Sequence, residues 1–215
     1  MSAAPRESAP ESEVNPHENV VLAFETADRA SFPPQGAILL VGDSQFSRWN
    51  SLHEDLPGYS LINRGIDSSY MSDVLHFTDR IVLPYNPRLI VVHEGGNDVH
   101  AGKSPEQVVT DMRAFVDKVR PVLPSVPIAF SSLTPSPARW EEALIRRRAN
   151  RMIKDYAGSQ KGLIFIDLFD GYLGTDSRPR EELFLEDHLH HSHAGYLVRV
   201  RLSRPYLGEP DVKTK

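Results

Sequence analysis

The sequence contains no cysteine among its 215 residues. This absence excludes disulfide bonds, cysteine-based metal sites and a cysteine nucleophile. Long apolar runs are missing as well, whereas a helix needs roughly 20 apolar residues to cross a bilayer. We therefore expect no membrane-spanning segment, and any nucleophile must come from another residue type.

An excess of charge of one sign is also absent. The net charge of −5 and the pI near 6.0 argue against a broad surface for nucleic acid or anionic lipid. The basic run Arg146-Arg147-Arg148 falls within a predicted helix, and we interpret it as a solvated helix face. The charge distribution thus indicates neither a nucleic-acid partner nor a membrane partner.

The length and composition fit one soluble globular domain with tails, at 40% hydrophobic and 25% charged residues. The segment from Met1 to Val14 is rich in proline, serine, alanine and glutamate and lacks the apolar core of a secretory signal. We predict a disordered N-terminal tail over residues 1–18, a single domain over 19–208 and a C-terminal tail over 209–215. A cytoplasmic location is the matching expectation.

Short apolar runs separated by turn residues predict five strands. The first, Ala37 to Val41, lies between Gly36 and Gly42, and its unbroken apolar character suits a strand buried on both faces of a parallel sheet. The other predicted strands are Ser60 to Asn63, Leu89 to His93, Pro127 to Ser131 and Leu163 to Asp167.

Helical patterns fill the intervals between these strands. The clearest begins at Ser104 with a capping box that includes Pro105 and Gln107, and its apolar face ends before Pro121. The other predicted helices are Asn19 to Arg29, Met71 to Leu83, Ala138 to Tyr156 and Ala194 to Tyr206.

Strands that alternate with helices of this length indicate an α/β domain with right-handed crossovers. We predict a three-layer α/β/α sandwich whose five-stranded parallel sheet has the flavodoxin-like order 2-1-3-4-5. In such a sheet the carboxyl ends of the strands share one edge. Gly42-Asp43-Ser44, Gly65 and the run Gly95 to Asp98 each follow a strand, so all three should meet at that edge.

A serine, a glycine and an asparagine at this edge suit acyl-transfer chemistry. Ser44 lies where a strand turns into a helix, so its backbone N–H is an unsatisfied donor for the oxyanion of a tetrahedral intermediate. Gly65 can present a backbone N–H without a side chain in the way, and Asn97 carries a neutral amide donor. Each residue alone also fits a helix cap or a turn, and only their coincidence favours a catalytic site.

A histidine with a nearby acid completes the set of groups. A serine hydroxyl is a poor nucleophile until a base removes its proton, and histidine is the usual base. His190 is preceded by Asp187, three residues earlier, which can reach the far nitrogen of the imidazole and hold its tautomer.

The same loop suggests an alternative function. His188, His190, His191 and His193 lie close together, and histidine-rich tracts can bind metal, as in a metal-dependent phosphoesterase. Such sites draw ligands from several strand ends, however, and neither an Asp-x-His near the first strand nor a Gly-Asn-His is present. We therefore expect no metal and no cofactor. A non-catalytic ligand-binding module remains a further alternative.

Together these four blocks resemble the SGNH (GDSL-type) hydrolases, which are named for a serine, a glycine, an asparagine and a histidine. The resemblance extends over about residues 20–207. Within the family, the sequence is similar to a bacterial branch related to the catalytic subunits of platelet-activating-factor acetylhydrolase. Besides the four blocks, it includes Phe32-Pro33-Pro34-Gln35-Gly36-Ala37, Pro135-Ser136-Pro137-Ala138-Arg139 and Ala194-Gly195-Tyr196.

The resemblance implies the fold predicted above and a metal-free serine esterase. Ser44 would be the nucleophile, His190 the base and acid, and Asp187 the orienting carboxylate. The Ser44 N–H, the Gly65 N–H and the Asn97 side chain would form the oxyanion hole. Because the segments between strands leave no room for a lid, we expect small acyl esters, from acetyl to butyryl, as substrates. The alcohol part and the oligomeric state stay open.

Departures from the family pattern lie near the expected crevice and bear on substrate preference. Gln45 replaces a common leucine or isoleucine, Asp67 and Ser68 stand where glycines are common, and His188 replaces another glycine. Arg139 and Trp140 open the helix after the fourth strand. We expect these two residues, together with Asp67 and His188, to contact the substrate, although Arg139 also fits a solvated position and Trp140 a packed one.

Overall fold

The computed structural model describes residues 15–211. Of the predicted tails over 1–18 and 209–215, residues 1–14 and 212–215 lie outside the described residues, whereas 15–18 and 209–211 are described. The Asn15 amide donates a hydrogen bond to Asp73 at 2.8 Å, and Asp211 accepts one from the Ser60 N–H at 2.7 Å. Both ends of the described chain thus contact the domain.

The predicted sheet is confirmed: five parallel strands are arranged in the order 2-1-3-4-5. The third strand has the predicted bounds, and the other strands differ at their ends by one or two residues. The second strand runs on through Gly65, which is in register with Gly42 of the first. The strands are β1 Ile38–Gly42, β2 Leu61–Gly65, β3 Leu89–His93, β4 Ile128–Ser131 and β5 Leu163–Ile166.

Eight α-helices lie within the described residues. None of them is long and apolar enough to cross a membrane. The helices are α1 Glu18–Ala30, α2 Ser44–Ser47, α3 Leu52–Asp55, α4 Met71–Ile81, α5 Gly96–His100, α6 Pro105–Val119, α7 Ala143–Ser159 and α8 His193–Ser203.

The sheet is the middle of three layers, because successive side chains of each strand point to opposite faces. In β1 all residues are buried: Leu39 and Val41 face one core, and Ile38 and Leu40 face the other. The first core is closed by α1, α4, α6 and α7, and the second by α2, α3 and α8. Both faces are covered, so polar groups reach solvent mainly at the strand ends.

One predicted helix is divided, and the division shapes the site. The continuous helix predicted from Ala138 to Tyr156 is wrong at its start, where a 3₁₀ segment over Pro137–Glu142 precedes α7. Arg139 interrupts even that segment, with φ −131° and ψ 32°. The apolar period alone could not reveal this break, because the interrupted residues lie at the sheet edge and not in the core.

The predicted capping box at the start of α6 is confirmed. The Ser104 hydroxyl accepts the Gln107 N–H at 3.3 Å, and the Gln107 side chain accepts the Ser104 N–H at 2.8 Å. Two donors at the helix start are thereby satisfied by neighbouring side chains.

We expect Ser104→Ala to lower the free energy of unfolding by about 1 kcal/mol, because it removes one acceptor from the helix start. Urea unfolding followed by far-UV circular dichroism measures this loss. Ser159→Ala is the matched control, since the Ser159 hydroxyl donates to a carbonyl at the other end of a helix. Equal losses in the two variants would contradict the capping role.

Candidate active site

The turn after β1 places Ser44 at the carboxyl edge of the sheet. Gly42 has φ 148°, and a Cβ there would come within 1.9 Å of the His93 carbonyl oxygen, so only glycine fits. The Asp43 carboxylate then accepts the Gln45 N–H at 2.9 Å and caps α2. Ser44 is consequently the first residue of α2, the helix that begins directly after β1.

Ser44, His190 and Asp187 form a continuous chain of hydrogen bonds. The Ser44 hydroxyl lies 3.1 Å from His190 Nε2, and His190 Nδ1 lies 2.6 Å from the Asp187 carboxylate. A carboxylate can only accept, so Nδ1 carries the proton and the Nε2 lone pair faces the serine. This is the arrangement in which a histidine can remove a serine proton.

The loop that carries this pair is organised by the same carboxylate. The second Asp187 oxygen accepts the N–H groups of Leu189 and His190 at 3.0 and 2.9 Å. Partial burial raises the pKa of Asp187, but these bonds and the bond from the His190 ring outweigh it, and the pKa falls to about 2. Asp187 is therefore ionised at every pH at which the fold is expected to function.

Two hydrogen-bond donors belong to residues that line one cleft: the backbone N–H of Ser44 itself and the side-chain amide of Asn97. The Ser44 N–H has no acceptor among residues 15–211. The Asn97 amide donates one hydrogen to the Ser69 carbonyl at 3.0 Å, and its oxygen accepts from Arg139 at 3.0 Å. The second amide hydrogen of Asn97 has no acceptor among residues 15–211.

The third predicted donor is already engaged. The Gly65 N–H donates to the Asn63 side-chain oxygen at 2.9 Å, while the Asn63 amide nitrogen donates to the Phe46 carbonyl. The sequence could not indicate this contact, because an i, i+2 side-chain bond depends on how the strand ends. The structure thus places Gly65 against α2, the helix that begins with Ser44, with its N–H bonded to the Asn63 side chain.

A cleft opens beside Ser44, with about 390 Å³ of space that includes the solvent at its mouth. Its walls come from the loops after β1, β3 and β4 and from the histidine loop, and most of them are polar. The lining residues are Asp43, Ser44, Gln45, His93, Gly96, Asn97, Leu133, Thr134, Ser136, Arg139, Arg146 and Leu189.

Of the four predicted substrate contacts, only Arg139 lines this cleft. Trp140 lies in a neighbouring groove, where the Arg178 guanidinium covers its ring at 5.3 Å. Asp67 is ion-paired with Arg48 at 2.7 Å on the surface. His188 is exposed, and its backbone carbonyl accepts the Ala138 N–H at 3.0 Å. His188 thus connects the histidine loop to the segment that carries Arg139 and Trp140.

The expectation of a solvated basic face is wrong for Arg146, which is only 5% exposed. Its guanidinium donates to Glu142 at 2.6 Å and to the carbonyls of Gly96 and Thr134. It therefore joins the loops after β3 and β4. Two signals in the sequence favour this placement: the i, i+4 spacing from Glu142 and the shared helix face with Ile153.

The four imidazoles of the histidine loop diverge. His190 faces Ser44, His191 is stacked on Tyr172 with ring centroids 4.5 Å apart, and His193 contacts Asp55 at 2.8 Å. No group of three or more His, Cys, Asp or Glu side chains in the described part of the chain is placed to hold a metal ion. The residues proposed for a metal-dependent phosphoesterase therefore do not converge.

Two buried carboxyl groups, Asp43 and Glu94, directly follow β1 and β3 at the carboxyl edge of the sheet. Burial raises the pKa of Asp43 to about 6, against the Gln45 hydrogen bond and the positive charges of Arg199 and Arg146. Burial and the neighbouring Asp43 charge likewise raise the pKa of Glu94 well above its usual value. Both carboxyl groups thus keep their protons to a higher pH than usual, so their charge changes with pH at this edge of the sheet.

Arg199, a buried residue of α8, places a positive charge near Asp43 that partly offsets the effect of burial on the pKa of Asp43. Arg199 is 1% exposed and donates to His93 Nε2 at 3.3 Å. The other His93 nitrogen contacts the Ser131 hydroxyl, which itself donates to the Val92 carbonyl, so His93 is a neutral imidazole with its proton on Nδ1. Burial and the Arg199 charge lower the pKa of His93 well below its usual value, in agreement with this state.

A three-layer α/β/α fold that brings a serine, a histidine and an aspartate together at its carboxyl edge is the arrangement of a hydrolase. The family model for the GDSL-like lipase/acylhydrolase family matches residues 34–198. The chain belongs to this family, and the protein is a hydrolase.

Solved structures with the same fold come from several bacteria. A Streptococcus pneumoniae protein provisionally named platelet activating factor is 21% identical, with a TM-score of 0.78 over 89% of this chain and 92% of its own. A GDSL-like lipase from Bacteroides thetaiotaomicron is 17% identical, with a TM-score of 0.73 over 87% and 96%. A mutant of Axe2, an acetyl-xylooligosaccharide esterase from Geobacillus stearothermophilus, is 15% identical, with a TM-score of 0.65 over 85% and 99%. No curated protein matches the sequence significantly.

We expect Asp43→Asn to gain stability relative to the wild type as pH rises from 4 to 7. The folded wild type holds the Asp43 proton up to a pKa of about 6, whereas the unfolded chain releases it near 3.8, so ionisation destabilises the fold across this window. The change in relative free energy of unfolding should be on the order of a few kcal/mol, because one pKa unit corresponds to about 1.4 kcal/mol.

Denaturant unfolding at several pH values measures this difference. Ser47→Ala, also in α2, is the control, because it removes no titratable group and its stability difference should not depend on pH. An Asp43→Asn difference that is equally constant would contradict the buried-carboxyl interpretation.

Proposed function

We propose that this protein is a metal-free serine esterase that hydrolyses small acyl esters, from acetyl to butyryl. The observation that supports this most is the hydrogen-bonded chain from Ser44 through His190 to Asp187, which opens on the cleft. Asp187 keeps His190 in the tautomer that faces the serine, and its negative charge stabilises the imidazolium that forms during reaction.

In the first step His190 Nε2 takes the Ser44 proton while Oγ bonds to the ester carbonyl carbon, whose electron pair moves onto the oxygen. The Ser44 N–H and the free Asn97 amide hydrogen stabilise this oxyanion. Collapse of the intermediate breaks the bond to the alcohol, which leaves with the proton from His190. Gly65 joins the hole when the substrate oxygen replaces the Asn63 oxygen as acceptor of its N–H.

In the second step water attacks the acyl group on Ser44 with His190 again as the base. The second tetrahedral intermediate uses the same donors, and its collapse releases the carboxylic acid and returns the proton to Ser44. The cycle needs no group beyond the chain and water.

The polarity of the cleft supports a short acyl group. Its inner wall includes Asp43, His93 and Arg146, which are all at least nine-tenths buried. A long alkyl chain placed against these groups would bury little apolar surface of the protein, so it would gain little from the hydrophobic effect. Axe2, a fold neighbour, is an acetyl-xylooligosaccharide esterase, which makes an acetyl ester of a polar alcohol a suitable substrate to assay first.

We expect kcat/KM to be much higher for p-nitrophenyl acetate or butyrate than for the palmitate ester. The palmitate chain has little apolar surface to occupy in this cleft, whose lining is mostly polar apart from Leu133 and Leu189. Initial rates on a chain-length series measure the preference. Equal or faster turnover of palmitate would contradict the assignment to small esters.

We expect Ser44→Ala and His190→Ala each to lower kcat by about 10³-fold or more, and the double variant to be hardly worse, because the residues act as a unit. Asp187→Asn should be less damaging than His190→Ala, since the base itself remains. Steady-state kinetics and unchanged circular dichroism spectra check this. Activity should survive exhaustive EDTA and disappear with a serine-directed phosphonate; loss of activity on chelation would favour the metal-dependent alternative.

A further inference from the structure

The Arg139 side chain makes one hydrogen bond in the described part of the chain, and that bond reaches the proposed oxyanion hole. Its Nη1 group donates to the Asn97 side-chain oxygen at 3.0 Å. No carboxylate between residues 15 and 211 lies within salt-bridge distance of the guanidinium, and the side chain lines the cleft. The non-helical backbone at Arg139 turns it out of the 3₁₀ segment toward this position.

The two partners of the Asn97 amide fix its orientation. A guanidinium can only donate, so it must meet the amide oxygen, and the Ser69 carbonyl can only accept, so it must meet the amide nitrogen. A flipped amide would lose both bonds. Ser69 is fully buried, and its hydroxyl donates to Glu94 at 2.7 Å, which holds the accepting carbonyl in place.

This arrangement matters because few donors in the site are free. The Gly65 N–H is engaged by Asn63, so the Ser44 N–H and one Asn97 hydrogen remain for an oxyanion. An amide whose oxygen accepts from a cation is a stronger donor through its nitrogen, because hydrogen bonds in a chain polarise one another. The contact between Arg139 and Asn97 therefore both orients the Asn97 amide and makes its N–H a stronger hydrogen-bond donor.

We infer that Arg139 is a positioning residue that orients and polarises the Asn97 amide for the oxyanion. This inference rests on the proposed esterase function and assigns to Arg139 an action through Asn97, in place of direct contact with the alcohol part of the substrate. It also accounts for the break in the predicted helix, because a helical Arg139 would follow the direction of α7.

A double-mutant cycle on a neutral ester separates the two roles. On p-nitrophenyl acetate, Asn97→Ala should lower kcat by about 10²–10³-fold. Arg139→Ala should lower kcat by about 10–100-fold with KM nearly unchanged, as expected for one charge-assisted hydrogen bond. In the Asn97→Ala background, Arg139→Ala should have almost no further effect, because the group it acts through is gone.

A control variant and a conservative variant test whether the loss of kcat is specific to Arg139. Arg148→Ala removes an exposed arginine that pairs with Glu106, and it should leave kcat unchanged. Arg139→Lys keeps a cationic donor and should recover part of the kcat. If Arg139→Ala costs as much activity in the Asn97→Ala background, or raises KM mainly for esters with an anionic alcohol, the inference is overturned in favour of leaving-group recognition.

An NMR measurement that does not depend on catalytic activity tests the positioning role of Arg139 separately from the proposed esterase function. In a ¹⁵N–¹H spectrum the Asn97 side-chain pair is assigned by its loss in Asn97→Ala. Arg139→Ala should move this pair toward the position of a free asparagine, and Arg148→Ala should not. An unmoved pair in Arg139→Ala overturns the positioning role, whereas full activity of Ser44→Ala overturns the esterase proposal and leaves the spectroscopic result standing.

Discussion

The close approach of β1 and β3 at the sheet edge is the contact on which the site depends. Gly42 lies against the His93 carbonyl so tightly that no side chain fits between the two strands. The chain must therefore turn at this point, and α2 begins at once with Ser44. Because β2 and β3 end at the same edge, strand register places Gly65 and His93 level with Gly42, and Asn97 follows four residues after His93.

Beneath this edge the domain contains several buried charged and polar groups. Arg146 and Arg199 are each at least nine-tenths buried, as are Asp43 and Glu94. Burial of such groups is unfavourable unless hydrogen bonds compensate. Arg146 illustrates the compensation, since it binds Glu142 and the carbonyls after β3 and β4. The same bonds fix loops that carry no apolar core of their own.

The site is accordingly organised before any substrate binds. Asp187 holds both its own loop and the His190 ring, and the Asn97 amide has a fixed orientation between Arg139 and Ser69. Donors and acceptors that are already oriented need little rearrangement as charge develops in a transition state. The exception is the Gly65 N–H, whose present partner Asn63 must give way before it can act.

Much of the fold could be predicted from the sequence, and the reasons are local. The bounds of β3 and the capping box at Ser104 follow from runs and spacings within a few residues. The parallel sheet follows from the alternation of strands with helices, and right-handed crossovers limit the strand orders to a few, among them 2-1-3-4-5. The start of α7 and the burial of Arg146 were predicted wrongly, because each depends on polar partners from the loops after β3 and β4.

The candidate site likewise contains one contact that follows from local sequence and others that depend on the tertiary structure. The sequence by itself determined the pairing of Asp187 with His190, since three residues of loop bring a carboxylate within reach of an imidazole. Only the tertiary structure decided that His190 meets Ser44, 146 positions away, that the Gly65 N–H is engaged and that Arg139 binds Asn97. Apolar periodicity specifies which faces are buried, whereas hydrogen bonds between distant polar groups depend on how the completed layers pack.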